Sequence, residues 1–488
     1  MNKTQVVTRF APSPSGYMHI GNLRTALYSY LLAKSHGGVF ILRIEDTDRT
    51  RLVENAVQLI YETLELAGLK YDEGPGIGGP NGPYVQSERR EIYIEYAQKL
   101  IASGHAYYCF CNSQEGEEAG EAAGSYGYSR RCRNLSADEV SEKLKNGIPY
   151  VLRQKTPPDG VTTFDDMVFG AISRANADLS DIVLIKSDGY PTYNFAHVVD
   201  DHLMGVTHVV RGSEYLSSTP QYVILYDSFG WERPQYVHLP LIMGKGEDGT
   251  VSKLSKRHGA VSFHDLVQDG FLPESIVNYI ALLGWSPKDT SEEFFTLEEL
   301  VQRFRVSGIS KSAAIFDYEK LLWFNGVYIR KLTPERFREL ALPYVRKVVR
   351  RDIGIEKLMP LIQPRIEKFS QIGQQVAFLE TLPVFDREFF VEKAQKATIE
   401  STVRVLPAAI ATLQKVKAWN NDTLWSELKT LSVSLGLNTG AVMWAIRIAI
   451  SGTRTTPGGA TAILEILGKA ESLRRLQFSL NNVNAGMG

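Results

Sequence analysis

The chain has 488 residues, 44% of them hydrophobic and 22% charged, with a formal net charge of −1. That length and balance fit a globular chain of about three domains at roughly 150 residues each. No apolar run approaches the roughly 18 residues of a membrane-spanning helix, the stretch 276–285 being about as long as they come, so no such helix is expected. Residues 1–10 show no secretory leader, and three cysteines are too few for a disulfide framework, so the cytoplasm is the expected compartment.

Charge is segregated along the chain. From Lys331 onward there are 22 Lys+Arg against 14 Asp+Glu, a net of +8, while the first 330 residues carry a net of −9. A basic C-terminal third on an acidic body suggests that this end meets a polyanion.

Taken in order, residues 6–10 form a short β-type run, followed by a Pro/Gly/Ser loop over 12–16. A helix opens near Gly21 and stops at His36-Gly37-Gly38, and residues 39–44 read as a second strand. Val53, Ala56, Val57, Ile60, Leu64 and Ala67 then share one helical face, with Gly68 as the stop. Strand, helix, strand, helix at these lengths predicts a parallel sheet with crossover helices. After a Gly/Pro-rich stretch over 74–83 comes a helix carrying Tyr93, Tyr96, Ala97, Leu100 and Ile101 on one side. Residues 109–185 read as an irregular insertion, with a low-complexity surface loop over 115–127. β-type runs resume at 207–210 and 236–239. Beyond about residue 330 strand signals nearly vanish: Phe337, Leu340, Ala341, Tyr344, Val345 and Val348 recur at helical spacing, and similar stripes run over 408–419 and 440–450.

Two segments carry the chemistry. In Arg9-Phe10-Ala11-Pro12-Ser13-Pro14-Ser15-Gly16-Tyr17-Met18-His19-Ile20-Gly21-Asn22 a strand ends and His-x-Gly stands where a helix begins. Unpaired amides and the positive end of the helix dipole suit phosphate there, and a glycine lets a nucleotide approach the backbone. The second, Lys253-Leu254-Ser255-Lys256-Arg257-His258-Gly259, sets two lysines three apart in a polar loop, able to close on a triphosphate. Either alone would be weak.

Together, about 235 residues apart, they resemble the paired signatures of class I aminoacyl-tRNA synthetases. Asn22 replaces the final histidine of the first, and the second reads Lys-Leu-Ser-Lys-Arg; both are departures the glutamate branch commonly shows. Further segments resemble bacterial-type glutamyl-tRNA synthetase: Leu42-Arg43-Ile44-Glu45-Asp46-Thr47-Asp48, Asp188-Gly189-Tyr190-Pro191-Thr192-Tyr193-Asn194-Phe195-Ala196, and His208-Val209-Val210-Arg211-Gly212-Ser213-Glu214. Leu282-Leu283-Gly284-Trp285 and the span from Phe316-Asp317 to Trp323-Phe324-Asn325-Gly326 fit as well, so the likeness is dense over residues 5–330.

The resemblance implies an α/β Rossmann-like catalytic core (1–86 and 190–258) with an inserted α+β acceptor-end-binding domain (87–189). A stem-contact helical domain (259–330) and an all-α anticodon-binding region (331–488, divided near 390) would follow. It implies activation of L-glutamate by ATP with Mg²⁺, then transfer to the terminal ribose of tRNA(Glu). His19, Lys253 and Lys256 would be catalytic. ATP would meet Ser13, His19, Gly21, Asn22, Glu214, Lys253 and Lys256. Glutamate would meet Arg9, Ala11, Ser13, Glu45, Tyr193 and Arg211, with arginine chosen because a guanidinium matches both carboxylate oxygens and stays charged. In the C-terminal region Arg346, Lys347, Arg350 and Arg351 would cover phosphates, and Trp419, Trp425 and Phe378 are candidates for base stacking, though such aromatics usually belong to a core.

A monomer is expected, and tRNA(Gln) stays open as a second acceptor. Cys109, Cys111 and Cys132 resemble a zinc site of some relatives, with Tyr128 as a candidate fourth ligand; no metal ligand is assigned. The alternative readings are a glutaminyl-tRNA synthetase, which usually ends in β-barrels, and a non-catalytic tRNA-binding paralogue, against which His19, Glu45, Lys253 and Lys256 speak.

Overall fold

The computed structural model describes residues 5–48, 53–111, 130–245, 249–254 and 262–485. The loop expected over 115–127, together with Tyr128 and Lys256, lies outside them. Two compact units divide the chain: one holds residues 1–267 and 273–318, the other 268–272 and 319–488.

In the first unit the strands are β1 (Val7–Phe10), β2 (Val39–Leu42), β3 (Ala106–Cys109), β4 (Val151–Gln154), β5 (Val161–Asp166) and β6 (Gly170–Ala175). They continue as β7 (Val183–Ile185), β8 (His208–Gly212), β9 (Gln235–Leu239), β10 (Ile242–Lys245), β11 (Val251–Lys253) and β12 (Ala314–Phe316). β1 and β2 pair in parallel, Val7 opposite Val39 and Phe10 opposite Leu42, joined by the helix Ile20–Lys34. This helix buries Leu23, Leu27, Leu31 and six further residues besides its first, because packed neighbours cover it on most sides. At its end Gly38 passes so close to the Val6 carbonyl that a Cβ would overlap it, which is why the stop signal there is a glycine.

β8, β9 and β5 run parallel, and β6 closes the group as a hairpin, in the order β6-β5-β9-β8. Thr207, just before β8, fixes this group beside β1: its amide donates to Val7 O at 3.0 Å, and its Oγ1 accepts from Val7 N at 2.8 Å. β1 therefore has β2 on one side and β8 on the other. The chain changes winding direction there, and open parallel sheets bind ligands outside the strand ends at such a point.

The stretch expected to be irregular is more regular than its sequence suggests. β3, β4 and β7 make an antiparallel sheet packed under the helices Arg90–Ala102 and Tyr193–Leu203 through Tyr93, Leu100, Leu152, Leu184 and Phe195. Its strands are three or four residues long, too short to show a period of two. Lys253, expected in a loop, ends β11, which pairs antiparallel with β10.

In the second unit no strand occurs among the described residues from Glu319 onward. Helices Pro334–Arg346, Ile355–Ile362, Ile372–Glu380, Ile399–Lys415, Asn421–Ser434, Thr439–Ser451, Ala460–Leu467 and Lys469–Ala485 enclose one apolar core. Phe378 belongs to that core, and Trp419 donates its indole N–H to Leu464 O at 2.8 Å; Trp425 is exposed. Arg346, Lys347 and Arg350 are exposed, while Arg351 is ion-paired to Glu471. No helix among the described residues is long and apolar enough to cross a membrane.

Arg475, fully buried, joins three helices of this unit. It donates to Phe378 O (2.6 Å), Leu379 O (3.1 Å) and Ile450 O (2.8 Å), carbonyls at helix C-termini that lack intrahelical partners, and pairs with Glu471 at 2.6 Å. Arg475→Ala would strip these groups at once. It is expected to destabilise this unit by about 3–5 kcal/mol, read as an earlier urea transition in the full chain.

Candidate active site

A cavity of about 720 Å³ opens at the carboxyl ends of β1 and β8, at the change of winding direction. Arg9 and Phe10 end β1, Ala11 and Ser13 follow in the Pro-rich turn, and Arg211 and Gly212 end β8. Glu45 stands three residues beyond β2, and Tyr193 opens the helix Tyr193–Leu203. Asn22 and Glu214 line the same space.

His19 and Gly21 do not line it. They form the adjoining helix start, where His19 caps the helix Ile20–Lys34 by accepting the Gly21 N–H on Nδ1 at 3.1 Å. The neutral ring then carries its proton on Nε2, a donor. Ser262 makes an antiparallel bridge with His19, and Phe263 N donates to Met18 O at 3.3 Å. The described chain thus ends β11 at Lys253 and is next found beside His19 at Ser262, while Lys256 lies outside the described residues.

Beneath the cavity is a buried network of charge. Arg9 Nε donates to Asp201 Oδ1 at 2.9 Å, and Arg43 Nη1 reaches the same oxygen at 2.8 Å. Arg43 Nη2 holds Glu45 Oε1 at 2.9 Å, and its Nε lies 3.6 Å from Asp200. Asp200 also receives Arg89 (2.7 Å), Gln86 (2.8 Å) and the Tyr93 hydroxyl (2.9 Å). Three arginines meet three carboxylates. Burial alone would raise the Asp201 pKa, but the charges of Arg9 and Arg43 outweigh it and hold this carboxyl well below the usual range. Glu45 goes the other way: burial pushes it up to about 7 against the pull of Arg43, which it shares with two other acids.

Arg211 is different in kind. It is 4% exposed, and its three nitrogens face uncharged acceptors: Thr219 Oγ1 at 2.8 Å, His238 Nε2 at 3.2 Å and His197 Nε2 at 3.4 Å. Rings of Tyr215, Tyr222 and Tyr236 lie 4.8–6.0 Å from the guanidinium carbon. Among the described residues no carboxylate forms an ion pair with it. A desolvated cation of this sort, facing a cavity that also holds a carboxylate, suits a ligand with an anionic group at one end and an ammonium at the other.

Sequence reasoning assigned no role to Arg43, Gln86, Arg89, His197, Asp200, Asp201, Thr219 or His238. The adjacent acids Asp200-Asp201 directly after Val198-Val199 were the available signal, two carboxylates on a helix that buries most of its residues. Apart from this site, Cys109, Cys111 and Cys132 bring their sulfurs within 4.8 Å of one another.

Fold and site define a class I aminoacyl-tRNA synthetase: the family model for the catalytic domain of class I tRNA synthetases (E and Q) matches residues 5–323, and the anticodon binding domain model matches residues 336–480. The chain is 52% identical to the glutamate–tRNA ligase of Clostridium novyi (strain NT) and 51% identical to that of Clostridium tetani (strain Massachusetts / E88), each over 99% of both chains. It superimposes on a crystal structure of a glutamate tRNA ligase from Elizabethkingia meningosepticum CCUG26117 in complex with its amino acid, with TM-score 0.89 at 34% identity over 98% of this chain and 100% of that one. The chain belongs to the glutamate–tRNA ligase family.

Because Asp201 bridges two buried guanidiniums, Asp201→Asn is expected to cost about 3–5 kcal/mol of stability at neutral pH. A depressed carboxyl stabilises above its unfolded pKa, about 3.9, and loses that contribution as pH falls through the folded value. In denaturant titrations the gap between wild type and D201N should hold above about pH 5 and narrow below about pH 4.

Proposed function

We propose that this chain joins L-glutamate to tRNA(Glu) through a glutamyl-adenylate. The observation that carries this reading is Arg211, buried and unpaired by any carboxylate among the described residues, in one cavity with Glu45. Arg211 takes the side-chain carboxylate, since Arg9 is already committed to Asp201 and serves the pocket through that pair. Glu45 receives the α-ammonium, Tyr193 offers its hydroxyl, and Ala11 and Ser13 bound the space between. Glutamine lacks the charge that Arg211 requires and would leave the guanidinium unmatched, so discrimination needs no editing step.

ATP lies across the helix start, with Ser13, Gly21, Asn22 and Glu214 around the nucleotide and His19 Nε2–H donating to phosphate. Lys253 and Lys256 stabilise charge on the leaving pyrophosphate. The glutamate α-carboxylate attacks the α-phosphorus, the bond to the bridging oxygen breaks, and pyrophosphate departs. The terminal ribose hydroxyl of tRNA then attacks the acyl carbon and AMP leaves. Positioning carries most of the rate, as no covalent enzyme intermediate forms. Mg²⁺ arrives with ATP, held mainly by phosphates and water.

The domain division follows the same reading: 1–86 and 190–258 for catalysis, 87–189 for the acceptor end, 259–330 for the stem, and 331–488, divided near 390, for the anticodon. Exposed Arg346, Lys347, Arg350 and Trp425 support an RNA surface on the last of these. Cys109, Cys111 and Cys132 suit three of the four positions of a structural zinc, outside the reaction path. The cysteine content supports a cytoplasmic enzyme, and we take the working form as a monomer.

Charging purified tRNA(Glu) and tRNA(Gln) with labelled glutamate tests the reading. Label on tRNA(Glu) is expected, and label on tRNA(Gln) decides the second acceptor; label on neither refutes the function.

The pH profile provides a separate check. A protonated Glu45 cannot hold an ammonium, so kcat/KM for glutamate should rise with pH through about 7, the value to which burial pushes that carboxyl in the empty site. Bound ammonium favours the charged form, so kcat at saturating glutamate should lack this limb. A kcat/KM that stays flat between about pH 6 and 8 contradicts the assignment.

A further inference from the structure

Three neighbouring strands place three side chains in a row. Asp166 ends β5, His238 lies in β9 and Arg211 in β8, with Arg211 and His238 opposite one another in register. His238 is completely buried. Its Nδ1 lies 2.7 Å from Asp166 Oδ2, and its Nε2 lies 3.2 Å from Arg211 Nε. The carboxylate is an acceptor on that side, so the imidazole proton sits on Nδ1 and Nε2 presents a lone pair to the guanidinium.

Asp166 is itself held without slack. Oδ1 accepts from Val168 N at 2.9 Å and Phe169 N at 2.8 Å, while Oδ2 accepts from His238 N at 3.0 Å as well as from the ring. None of these contacts touches the cavity.

We propose that Asp166 and His238 are positioning residues for amino-acid selection: Asp166 fixes the tautomer of His238, and His238 fixes the Arg211 guanidinium while keeping a counter-charge one imidazole away from it. The inference rests on the reading that Arg211 grips the side-chain carboxylate. The arrangement solves a conflict. A carboxylate in direct contact with Arg211 would occupy the donors that the substrate needs, and a buried guanidinium with no negative charge nearby would be costly. Asp166, behind the ring, compensates the charge and leaves the contact to the ligand. His197 repeats half of the device, with Nδ1 2.8 Å from Tyr193 O and Nε2 facing Arg211, so it too offers a lone pair. Burial and the neighbouring Arg211 charge lower its pKa to about 3, which keeps the ring neutral.

Asp166→Asn separates this role from a structural one. Two backbone amides claim the amide oxygen, so the NH2 group faces His238 Nδ1 and the ring proton moves to Nε2, where donor opposes donor; the same NH2 also faces the His238 main-chain N–H, a structural loss that the double-mutant cycle below cancels because it is common to both backgrounds. The expected result in the full chain, assayed with tRNA, is a rise of about 10- to 100-fold in KM for glutamate with KM for ATP within about twofold of wild type. His238→Gln supplies an amide oxygen near the Nε2 position and has no tautomer to set. In that background Asp166→Asn should leave the glutamate KM within about twofold of H238Q alone, a coupling read by the double-mutant cycle. Equal effects in both backgrounds, or ATP and glutamate shifting together, would overturn the proposal. Should D166N not fold, ¹⁵N-histidine NMR of the wild-type chain decides instead: a protonated Nδ1 and bare Nε2 at His238 support it, and the opposite tautomer overturns it. Arg211→Ala separates the two levels. Normal glutamate KM in that variant defeats the assignment of Arg211 itself, whereas lost glutamate binding in R211A beside a neutral D166N defeats only the relay.

Discussion

A guanidinium taken out of water costs several kcal/mol unless charge and hydrogen bonds replace its hydration. This fold removes four beside one cavity: Arg9, Arg43, Arg89 and Arg211 are each 4% exposed or less. Three are met by Asp200, Asp201 and Glu45 in direct contact, and the resulting lattice ties the ends of β1 and β2 to one face of the helix Tyr193–Leu203. The fourth is met by two imidazoles and a hydroxyl. Because every arginine is held before a ligand arrives, the cavity has its charges in place and little reorganisation remains for binding.

The sheet makes that arrangement possible. Parallel strands end together, so residues far apart in sequence, Arg9 and Arg211 among them, reach the same rim. Opposite them the helix Tyr193–Leu203 projects Tyr193, His197 and Asp200-Asp201 at intervals of three and four, along one face. Tyr193 lies in the cavity wall, His197 beneath it against Arg211, and the two acids deeper still among the arginines. One short helix therefore supplies both part of the cavity wall and the charge compensation beneath it.

The sequence made some of this legible and concealed the rest for identifiable reasons. The parallel core could be read because the long helix Ile20–Lys34 ends in a glycine stop and flanking runs are β-rich, and the helical third because its apolar stripes are long. The arginines at strand ends stood out inside motifs. Asp166, His238 and His197 did not. A histidine in an apolar strand looks like any core histidine, and Asp166 is one of two adjacent acids in a hairpin of ordinary composition. The meaning of Asp166 and His238 comes from register across β5, β9 and β8, that of His197 from a helix that brings its ring to Arg211, and no spacing along the chain encodes either. The antiparallel sheet of β3, β4 and β7 was hidden for another reason, since strands of three or four residues carry no readable period.

Arg475 shows what sets a site arginine apart from a structural one. It is as deeply buried as Arg211, yet its donors end on three main-chain carbonyls and on the Glu471 carboxylate, partners that cannot leave without exposing helix ends. Such a guanidinium is held by fixed groups of the fold, although the Glu471 carboxylate is shared with Arg351 and Arg474. Arg211 has equal burial with weaker, neutral acceptors at 2.8–3.4 Å, so an incoming carboxylate can add to the guanidinium without displacing an existing ion pair. Burial by itself therefore does not identify a functional cation. What separates the two is the kind of group in contact: main-chain carbonyls at helix ends and a carboxylate at Arg475, neutral side chains beside an open cavity at Arg211.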